Sequence, residues 1–202
     1  MNLDASDRPF AADSGVSAPL TEQALGPLTL RPSAEGDVPA LARIYGWHVE
    51  NGTGTFELDV PDDAEMARRR ADVVSKQLPW LVAERGGRLL GYAYANHFKP
   101  RRAYRFFVED SIYLHPDARG QGIGRLLLVE LLARLEARGI RQVLAVIGDS
   151  ENAGSIGVHR SCGFEHVGVM KSAGWKFDRW RDVVMMQRAL GPGDRTDPVE
   201  PA

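Results

Sequence analysis

The sequence predicts a single domain of the mixed α/β class, and three observations lead to that class. The chain has 202 residues, which suits one domain and leaves no room for two catalytic domains. Hydrophobic residues make up 44% and charged residues 26% of the chain, a balance typical of packed globular proteins. Segments with strand and helix periodicity follow one another in the order β-α-α-β-β-β-α-β-α-β-β, which indicates a mixed sheet with helices packed on it.

The domain is predicted to cover residues 27–190, between two segments without periodicity. Residues 1–26 are rich in Ala, Ser, Asp and Gly, and we interpret them as a flexible N-terminal extension. Residues 191–202, GPGDRTDPVEPA, are interpreted as a flexible C-terminal tail of similar composition.

The first half of the domain predicts a strand, two helices and a hairpin. Residues 28–32 alternate like a short strand, and helical spacing begins after Asp37. Residues 62–77 predict a charged helix with Asp62 as its N-cap. Strands are then predicted at 80–85 and 89–98, because the Gly-Gly pair between them is a turn signal for a hairpin.

The second half predicts four more strands and two helices. A strand is expected at 107–114, and a helix at 122–138 follows from leucines spaced at i, i+3, i+4 and i+7. Gly139 is placed to end that helix. The apolar run 142–148 predicts a central strand covered on both faces. A short helix at 152–161 and strands near 166–170 and 183–187 complete the domain.

Composition excludes several classes of function. A single cysteine, Cys162, rules out an intramolecular disulfide, and we expect it to be a small buried hydrophobe. The five histidines show no zinc-type spacing, so no metal is expected. No apolar run approaches the length of a membrane helix and no signal peptide is recognisable, which favours a cytoplasmic protein. A net charge of −2 argues against a generic nucleic-acid binder.

A glycine-rich segment lies between a predicted strand and the leucine-rich helix. Its residues are Arg119, Gly120, Gln121, Gly122, Ile123 and Gly124. Glycines let the backbone approach a ligand, and free N–H groups at a helix N-terminus bind anions, so the pattern suggests a phosphate site. An ordinary glycine-rich turn is the alternative. Arginine at position 125 breaks both the Walker pattern and the Rossmann pattern.

Six segments together resemble one protein family. They are the glycine loop RGQGIG and the stretches PWLVAE, FKPRRAY, VEDSIYL, AVIGDSENAGSIGVHRSCGF and GWKFDRWRDVVMMQ. In order and spacing the chain resembles the GNAT superfamily of acetyl-CoA-dependent N-acetyltransferases over residues 27–190. Within it, the sequence is similar to the branch that acetylates phosphinothricin, methionine sulfoximine and methionine sulfone.

The resemblance implies an acetyl-CoA cleft on a single mixed-sheet domain with a splayed central strand pair. The backbone of Ile112, Tyr113 and Leu114 would pair with the pantetheine, and the glycine loop would hold the pyrophosphate through main-chain N–H groups. Asn152 and Ser155 match positions that line the far side of the pantetheine. Asn152 is equally suited to be a helix N-cap, and both roles are compatible.

The resemblance also assigns catalytic roles. Glu109 matches the general base, with Asp110 as its competitor, and a regular strand points these two side chains to opposite faces. Main-chain N–H groups near Leu114 are expected to hold the oxyanion. His159 lies where many relatives have a tyrosine that protonates the thiolate. It is either that acid or a polar lining residue.

The acceptor would be a small-molecule amine. Phe56 and Tyr104 correspond to aromatic pocket residues in the resembled branch. Lys99 and Arg101 would grip a carboxylate, unless they are merely solvated. A homodimer is implied, and one aromatic segment is expected to shape either the pocket mouth or the dimer contact. Its residues are Trp175, Lys176, Phe177 and Trp180.

Rival functions are weaker. A serine hydrolase centred on Ser155 fails because no histidine follows His166, whereas that fold needs its histidine last. A polycationic aminoglycoside acceptor would want carboxylates where the predicted pocket is cationic. Protein N-termini remain an alternative acceptor. A non-catalytic acetyl-CoA sensor is a further alternative, disfavoured by the presence of Glu109.

Overall fold

The computed structural model describes residues 26–199, in which one sheet carries four helices. The strands are β1 (Thr29–Pro32), β2 (Trp80–Arg85), β3 (Arg88–His97), β4 (Phe107–Leu114), β5 (Gln142–Gly148), β6 (Glu165–Lys176) and β7 (Arg179–Ala189). The helices are α1 (Val38–Asn51), α2 (Asp63–Ser75), α3 (Ile123–Ala137) and α4 (Ala153–Ser161). Single 3₁₀ turns occur at Glu35–Asp37, Arg102–Tyr104 and Pro116–Ala118. The predicted order of elements is confirmed.

The largest departure from prediction is the length of the last two strands. β6 has 12 residues and β7 has 11, and they remain paired out to Lys176 and Arg179. The turn between them places Phe177 at φ 53° and Asp178 at φ 55°. Two successive positive φ angles are the geometry of a tight hairpin turn, which glycine and asparagine usually supply. Because this turn contains no glycine, no turn was predicted there from the sequence.

The sheet has the strand order β1-β2-β3-β4-β5-β7-β6. β4 pairs with antiparallel β3 from Val108 to Leu114, but with parallel β5 only as far as the pair Asp110 and Ala145. β5 continues to Gly148 against β7. The two central strands therefore separate after Asp110, and the predicted splayed strand pair is confirmed.

The helices cover both faces of this sheet. The Tyr113 side chain meets Tyr45 of α1 with ring centroids 4.9 Å apart. A Cβ atom at Gly124 of α3 would lie 3.4 Å from Leu114 Cδ1. Successive strand residues point to opposite faces, so α1 and α3 lie on opposite faces of β4. The leucines of α3 are buried, and Leu128 is 0% exposed.

The segment after β7 contacts the domain. Arg141 donates hydrogen bonds to the carbonyl oxygens of Gly193 at 3.1 Å and Asp197 at 3.0 Å. The flexible tail at 191–202 stays a prediction, and its last three residues lie outside the described part, as do residues 1–25 of the predicted extension. Within residues 26–199, no helix combines the length and hydrophobicity that crossing a membrane requires.

Candidate active site

The opening between β4 and β5 exposes main-chain groups of β4. His115 N donates to Leu90 O at 2.9 Å, at the end of the β3 and β4 ladder. Antiparallel pairing alternates, so the N–H and C=O of Tyr113 also point to β3, whereas those of Ile112 and Leu114 point into the opening. The strand-like pairing predicted for 112–114 is thus available at Ile112 and Leu114 but not at Tyr113.

A histidine from α1 reaches the same edge. His48 Nε2 lies 2.8 Å from Leu114 O. The carbonyl only accepts, so Nε2 must donate. Burial lowers the pKa of His48 to about 4, against a smaller opposing effect of this hydrogen bond, so the ring is neutral near pH 7. His48 therefore fixes the Leu114 carbonyl and leaves the Leu114 N–H facing the opening. The sequence analysis missed this residue.

The N-terminus of α3 lies at the end of the opening. Gly120 has φ 73° and Gly122, the N-cap, has φ 77°. Residues other than glycine rarely adopt this left-handed backbone conformation. Leu126 N makes a hydrogen bond of 3.2 Å to Gly122 O, and the N–H groups before it have no acceptor in the helix. Gly124 lies in this first turn. Such N–H groups fit an anionic pyrophosphate.

Side chains of the glycine loop hold its shape. The Arg119 guanidinium lies 4.2 Å from the ring centroid of Trp47 in α1, a cation–π contact. Gln121 Nε2 donates to Asp117 O at 2.8 Å. Ile123 is 1% exposed and anchors the helix start in the core. The loop is thus tied to both neighbouring elements while its main chain stays free for a ligand.

The start of α4 faces the end of β5. Asn152 Oδ1 accepts a 3.2 Å hydrogen bond from Ser155 N, which confirms the N-cap. Its Nδ2 lies 3.4 Å from Gly148 O, the last residue of β5. Asn152 and Ser155 are both half-buried. These bonds place the first turn of α4 beside the open end of β5.

Glu109 lies on the α1 face of β4, just before the opening. It is half-buried, and its register partners are Asn96 on β3 and Leu144 on β5. Burial raises the pKa of Glu109, the negative charge of Asp110 raises it further, and Lys99 opposes both effects. A carboxylate with a raised pKa is better suited to accept a proton near neutrality.

Asp110 points to the opposite face, as strand alternation predicts. Its Oδ2 lies 3.0 Å from Nε2 of His159 on α4, and the two side chains are only 1% and 5% exposed. His159 Nδ1 lies 2.8 Å from Ser155 O. Both ring nitrogens of His159 thus have partners inside the protein. This pairing went unpredicted, because alternation tells which face Asp110 takes but not which residue meets it.

The predicted acceptor side is built around the loop between α1 and α2. The Phe56 ring packs closely on Gly174 of β6, and a Cβ atom at position 174 would overlap the ring. The Thr53 carbonyl oxygen packs equally closely on Gly148 of β5, where a Cβ atom would overlap that oxygen. Lys176 is 2% exposed and donates from Nζ to Thr55 O at 2.8 Å. The loop is therefore clamped onto β5 and β6.

The other predicted acceptor residues lie between β3 and β4. Lys99 and Arg101 are exposed, and Lys99 Nζ lies 4.9 Å from the Phe98 ring centroid. Tyr104, in a 3₁₀ turn, contacts Phe98 with ring centroids 5.8 Å apart. Their role in binding a carboxylate stays a prediction, since only the effect of Lys99 on Glu109 relates either cation to the site.

In the segment around the turn between β6 and β7, the lysine and the aromatic residues differ in exposure. Lys176 is buried, whereas Trp175, Phe177 and Trp180 are 53%, 45% and 62% exposed. An unpredicted aromatic cluster instead lines the α1 face near Glu109. Its residues are Tyr45, Trp80, Tyr92, Tyr94 and Tyr113.

Two further observations concern Cys162 and the side chains that could bind a metal. Cys162 is 5% exposed, in agreement with its predicted packing role. Within residues 26–199, no cluster of three or more His, Cys, Asp or Glu side chains is arranged to hold a metal ion.

Comparisons with known proteins agree with this geometry. Residues 41–164 match the model of the acetyltransferase (GNAT) family. The phosphinothricin N-acetyltransferase of Alcaligenes faecalis is 55% identical over 170 residues, covering 84% of this chain and 86% of that protein. The L-methionine sulfoximine/L-methionine sulfone acetyltransferase of Pseudomonas paraeruginosa is 39% identical over 168 residues, covering 81% of this chain and 95% of that protein.

A solved structure also superposes closely. It is the crystal structure of a GNAT superfamily phosphinothricin acetyltransferase from Sinorhizobium meliloti in complex with AcCoA. The TM-score is 0.83 at 48% sequence identity, and the match covers 86% of this chain and 94% of that chain.

Proposed function

Because the chain belongs to the GNAT acetyltransferase family and is an acetyl-CoA-dependent N-acetyltransferase, we propose that its acceptor is the amino group of a small amino-acid-like molecule. Phosphinothricin, methionine sulfoximine and methionine sulfone are the favoured examples, since relatives of 55% and 39% identity carry those substrates in their names. The observation that carries the proposal is the half-buried carboxylate of Glu109 beside the opening where β4 leaves β5.

The acetyl donor is proposed to lie along this opening. The main-chain groups of Ile112 and the N–H of Leu114, whose carbonyl is bonded to His48, take the place of a missing strand partner for the pantetheine, while the first turn of α3 holds the pyrophosphate. Asn152 and Ser155 line the other wall. When bound, acetyl-CoA supplies an acyl group activated as a thioester.

Glu109 is the proposed general base. An amino acid's ammonium group is mostly protonated at neutral pH, so it must lose a proton before nitrogen can attack. Glu109 accepts that proton directly or through a water molecule. Its raised pKa keeps it basic enough near neutrality, and its position on the α1 face leaves the other face to the donor.

Group transfer is proposed to proceed by direct attack. The amine nitrogen forms a bond to the thioester carbonyl carbon, and the oxygen charge that develops is held by a main-chain N–H near Leu114, of which the Ile112 N–H lies closer along β4 to Glu109 and Asp110. The carbon–sulfur bond then breaks, with its electron pair going to sulfur, and the nitrogen gives its second departing proton to solvent water, which leaves a neutral amide. His159 protonates the thiolate from Nε2, a transfer that requires the 3.0 Å hydrogen bond from Nε2 to Asp110 to break, and the pair is then reprotonated from solvent.

The acceptor's other groups are proposed to meet Phe56, Tyr104, Lys99 and Arg101. The two aromatic rings form apolar walls, and the two cations favour an acceptor with a carboxylate over a polycationic aminoglycoside. The exposed Trp175 and Trp180 support the homodimer, as they present apolar surface at one end of the sheet. Cytoplasmic location remains part of the proposal.

The test is an acceptor screen with purified protein and detection of released thiol. We expect amine-dependent thiol release with methionine sulfone, methionine sulfoximine or phosphinothricin, and little with aminoglycosides or N-terminal peptides. Release only with aminoglycosides or peptides would overturn the proposed acceptor. Tight acetyl-CoA binding without amine-dependent release would instead favour the sensor.

A further inference from the structure

We propose that Asp110 is a positioning residue that keeps His159 doubly protonated at the foot of the β4 and β5 opening. His159 would then hold a proton ready for the sulfur that takes up the electron pair of the breaking carbon–sulfur bond. The inference rests on the proposed function, which gives His159 its place in the reaction, and it assigns Asp110 a role that its position as Glu109's neighbour does not suggest.

The location of the pair supports this role. Asp110 is the last residue of β4 that pairs with β5, so it marks the point where the strands separate. His159 lies one helical turn after Ser155, on the helix whose first turn flanks the opening. The 3.0 Å contact between Asp110 Oδ2 and His159 Nε2 ties β4 to α4 at this point.

The hydrogen bonds restrict the proton positions. Ser155 O can only accept, so the Nδ1 atom 2.8 Å from it must carry a proton. Nε2 then has two possible states opposite Asp110. Either an imidazolium donates to a carboxylate, or a protonated carboxyl donates to a neutral ring. In both states the pair holds one proton between Nε2 and Oδ2.

Charge considerations place that proton on the ring. Histidine binds a proton more tightly than aspartate does in water, and a carboxylate 3.0 Å away strengthens that preference. Burial lowers the pKa of His159, but the hydrogen bond and charge of Asp110 outweigh it, so the pKa is raised overall. Asp110 Oδ1 is buried without a hydrogen-bond partner among the described residues. The contact with His159 at Oδ2 is therefore the one that stabilises the negative charge of this buried carboxylate.

The other groups around the pair do not supply a competing charge. On α4 the group facing His159 is the Ser155 carbonyl, and the Phe164 ring contacts the imidazole edge at 5.0 Å between centroids. On β4 the carboxylate of Glu109 points to the opposite face. Lys99 acts on Glu109 and does not contribute to the pKa of His159.

The experiment measures proton occupancy directly. Protein labelled with ¹⁵N at histidine is titrated by NMR, and Asp110→Asn is compared with the wild type. The chain has five histidines, so loss of one set of signals in His159→Gln assigns His159. Glu130→Gln, which removes a half-buried α3 carboxylate paired with Arg134, is the matched control.

In the wild type at pH 7 we expect both ring nitrogens of His159 to be protonated. In Asp110→Asn we expect Nδ1 to stay protonated while Nε2 loses its proton, because an amide can donate to Nε2 but cannot stabilise the imidazolium charge. An unprotonated nitrogen in the wild type, or two protonated nitrogens in the variant, would overturn the inference. The titration of the wild type alone shows whether both ring nitrogens of His159 are protonated, even if Asp110→Asn does not fold.

Kinetics supply a second readout. We expect Asp110→Asn to lower kcat by about 10-fold to 10²-fold with little change in KM for acetyl-CoA. The alkaline limb of the kcat profile should move to lower pH, because the acid loses its proton more readily. An unchanged limb would count against the inference. The NMR result needs no turnover, so failure of the proposed acceptor leaves this test intact.

Discussion

Replacement of Glu109 by glutamine tests the proposed mechanism most directly. The substitution keeps the size and shape of the side chain and removes its negative charge together with its ability to accept a proton. Glu109 lies on the α1 face of β4, whereas the N-terminus of α3 lies on the other, so no proposed acetyl-CoA contact is removed. We therefore expect the change to act on the chemical step alone.

The magnitude follows from the environment of the carboxylate. General base catalysis contributes typically about 10² to 10⁴-fold. Glu109 is only half-buried, so a water molecule can partly replace it, and we expect the lower end of that range. A loss of about 10²-fold in kcat near pH 7 corresponds to about 2.7 kcal/mol of transition-state stabilisation.

The pH dependence gives a sharper signature. In the wild type, activity should fall as pH drops through the raised pKa of Glu109, because the base becomes protonated. In Glu109→Gln this limb should disappear. Residual activity should instead rise with pH, as a larger share of the acceptor amine becomes unprotonated on its own.

The assay is thiol release over a range of pH, with acetyl-CoA affinity measured by calorimetry. Glu130→Gln is the control for removing a carboxylate elsewhere, and it should leave both quantities unchanged. The reasoning would be refuted if Glu109→Gln kept near wild-type kcat at pH 7, or if it weakened acetyl-CoA binding as much as it slowed turnover.

Three further substitutions test other parts of the site. For His48→Ala we expect about a 10-fold fall in kcat/KM, partly restored by His48→Gln, whose amide can still donate to Leu114 O. Folding lowers the pKa of His48 to about 4, so between about pH 6.5 and pH 4 the unfolded protein binds a proton at His48 that the folded protein does not. The free energy of unfolding of the wild type should therefore fall on acidification through this range. In urea titrations, His48→Gln should lose less stability over the same range. Gly122 has φ 77°, so Gly122→Ala should lower the free energy of unfolding by about 1 kcal/mol and weaken acetyl-CoA binding measured by calorimetry. An unchanged affinity would show that the glycine loop does not bind acetyl-CoA. Gly174→Ala should displace the Phe56 ring and raise KM for the acceptor several-fold with little effect on KM for acetyl-CoA, and equal changes in both would contradict the proposed pocket wall.

Several features of the fold and site were predictable because they depend on neighbours in sequence. The leucine spacing of α3 and the alternation of β4 describe which side of an element is apolar, and that is enough to place Glu109 and Asp110 on opposite faces. The caps Asp62 and Asn152 each bond within three residues, so their residue type and position suffice. The β6 and β7 turn was missed because its positive φ angles occur without glycine.

Other features depend on residues that are distant in sequence. Asp110 and His159 are 49 residues apart, His48 and Leu114 are 66 apart, and Lys176 and Thr55 are 121 apart. Periodicity indicates that such side chains face inward but carries no information about which partner they meet. Periodicity also does not show which main-chain groups are paired: the N–H and C=O of Tyr113 point to β3 because of the register between β3 and β4.

The amino-acid order by itself therefore determined the order of the elements and the family, and it predicted the glycine-rich anion site. The tertiary structure alone decided where β4 leaves β5, which backbone groups face the opening and how the buried charges pair. The physical reason is that local patterns record the environment of a residue, whereas a hydrogen bond or ion pair between distant residues exists only when packing brings both groups within reach.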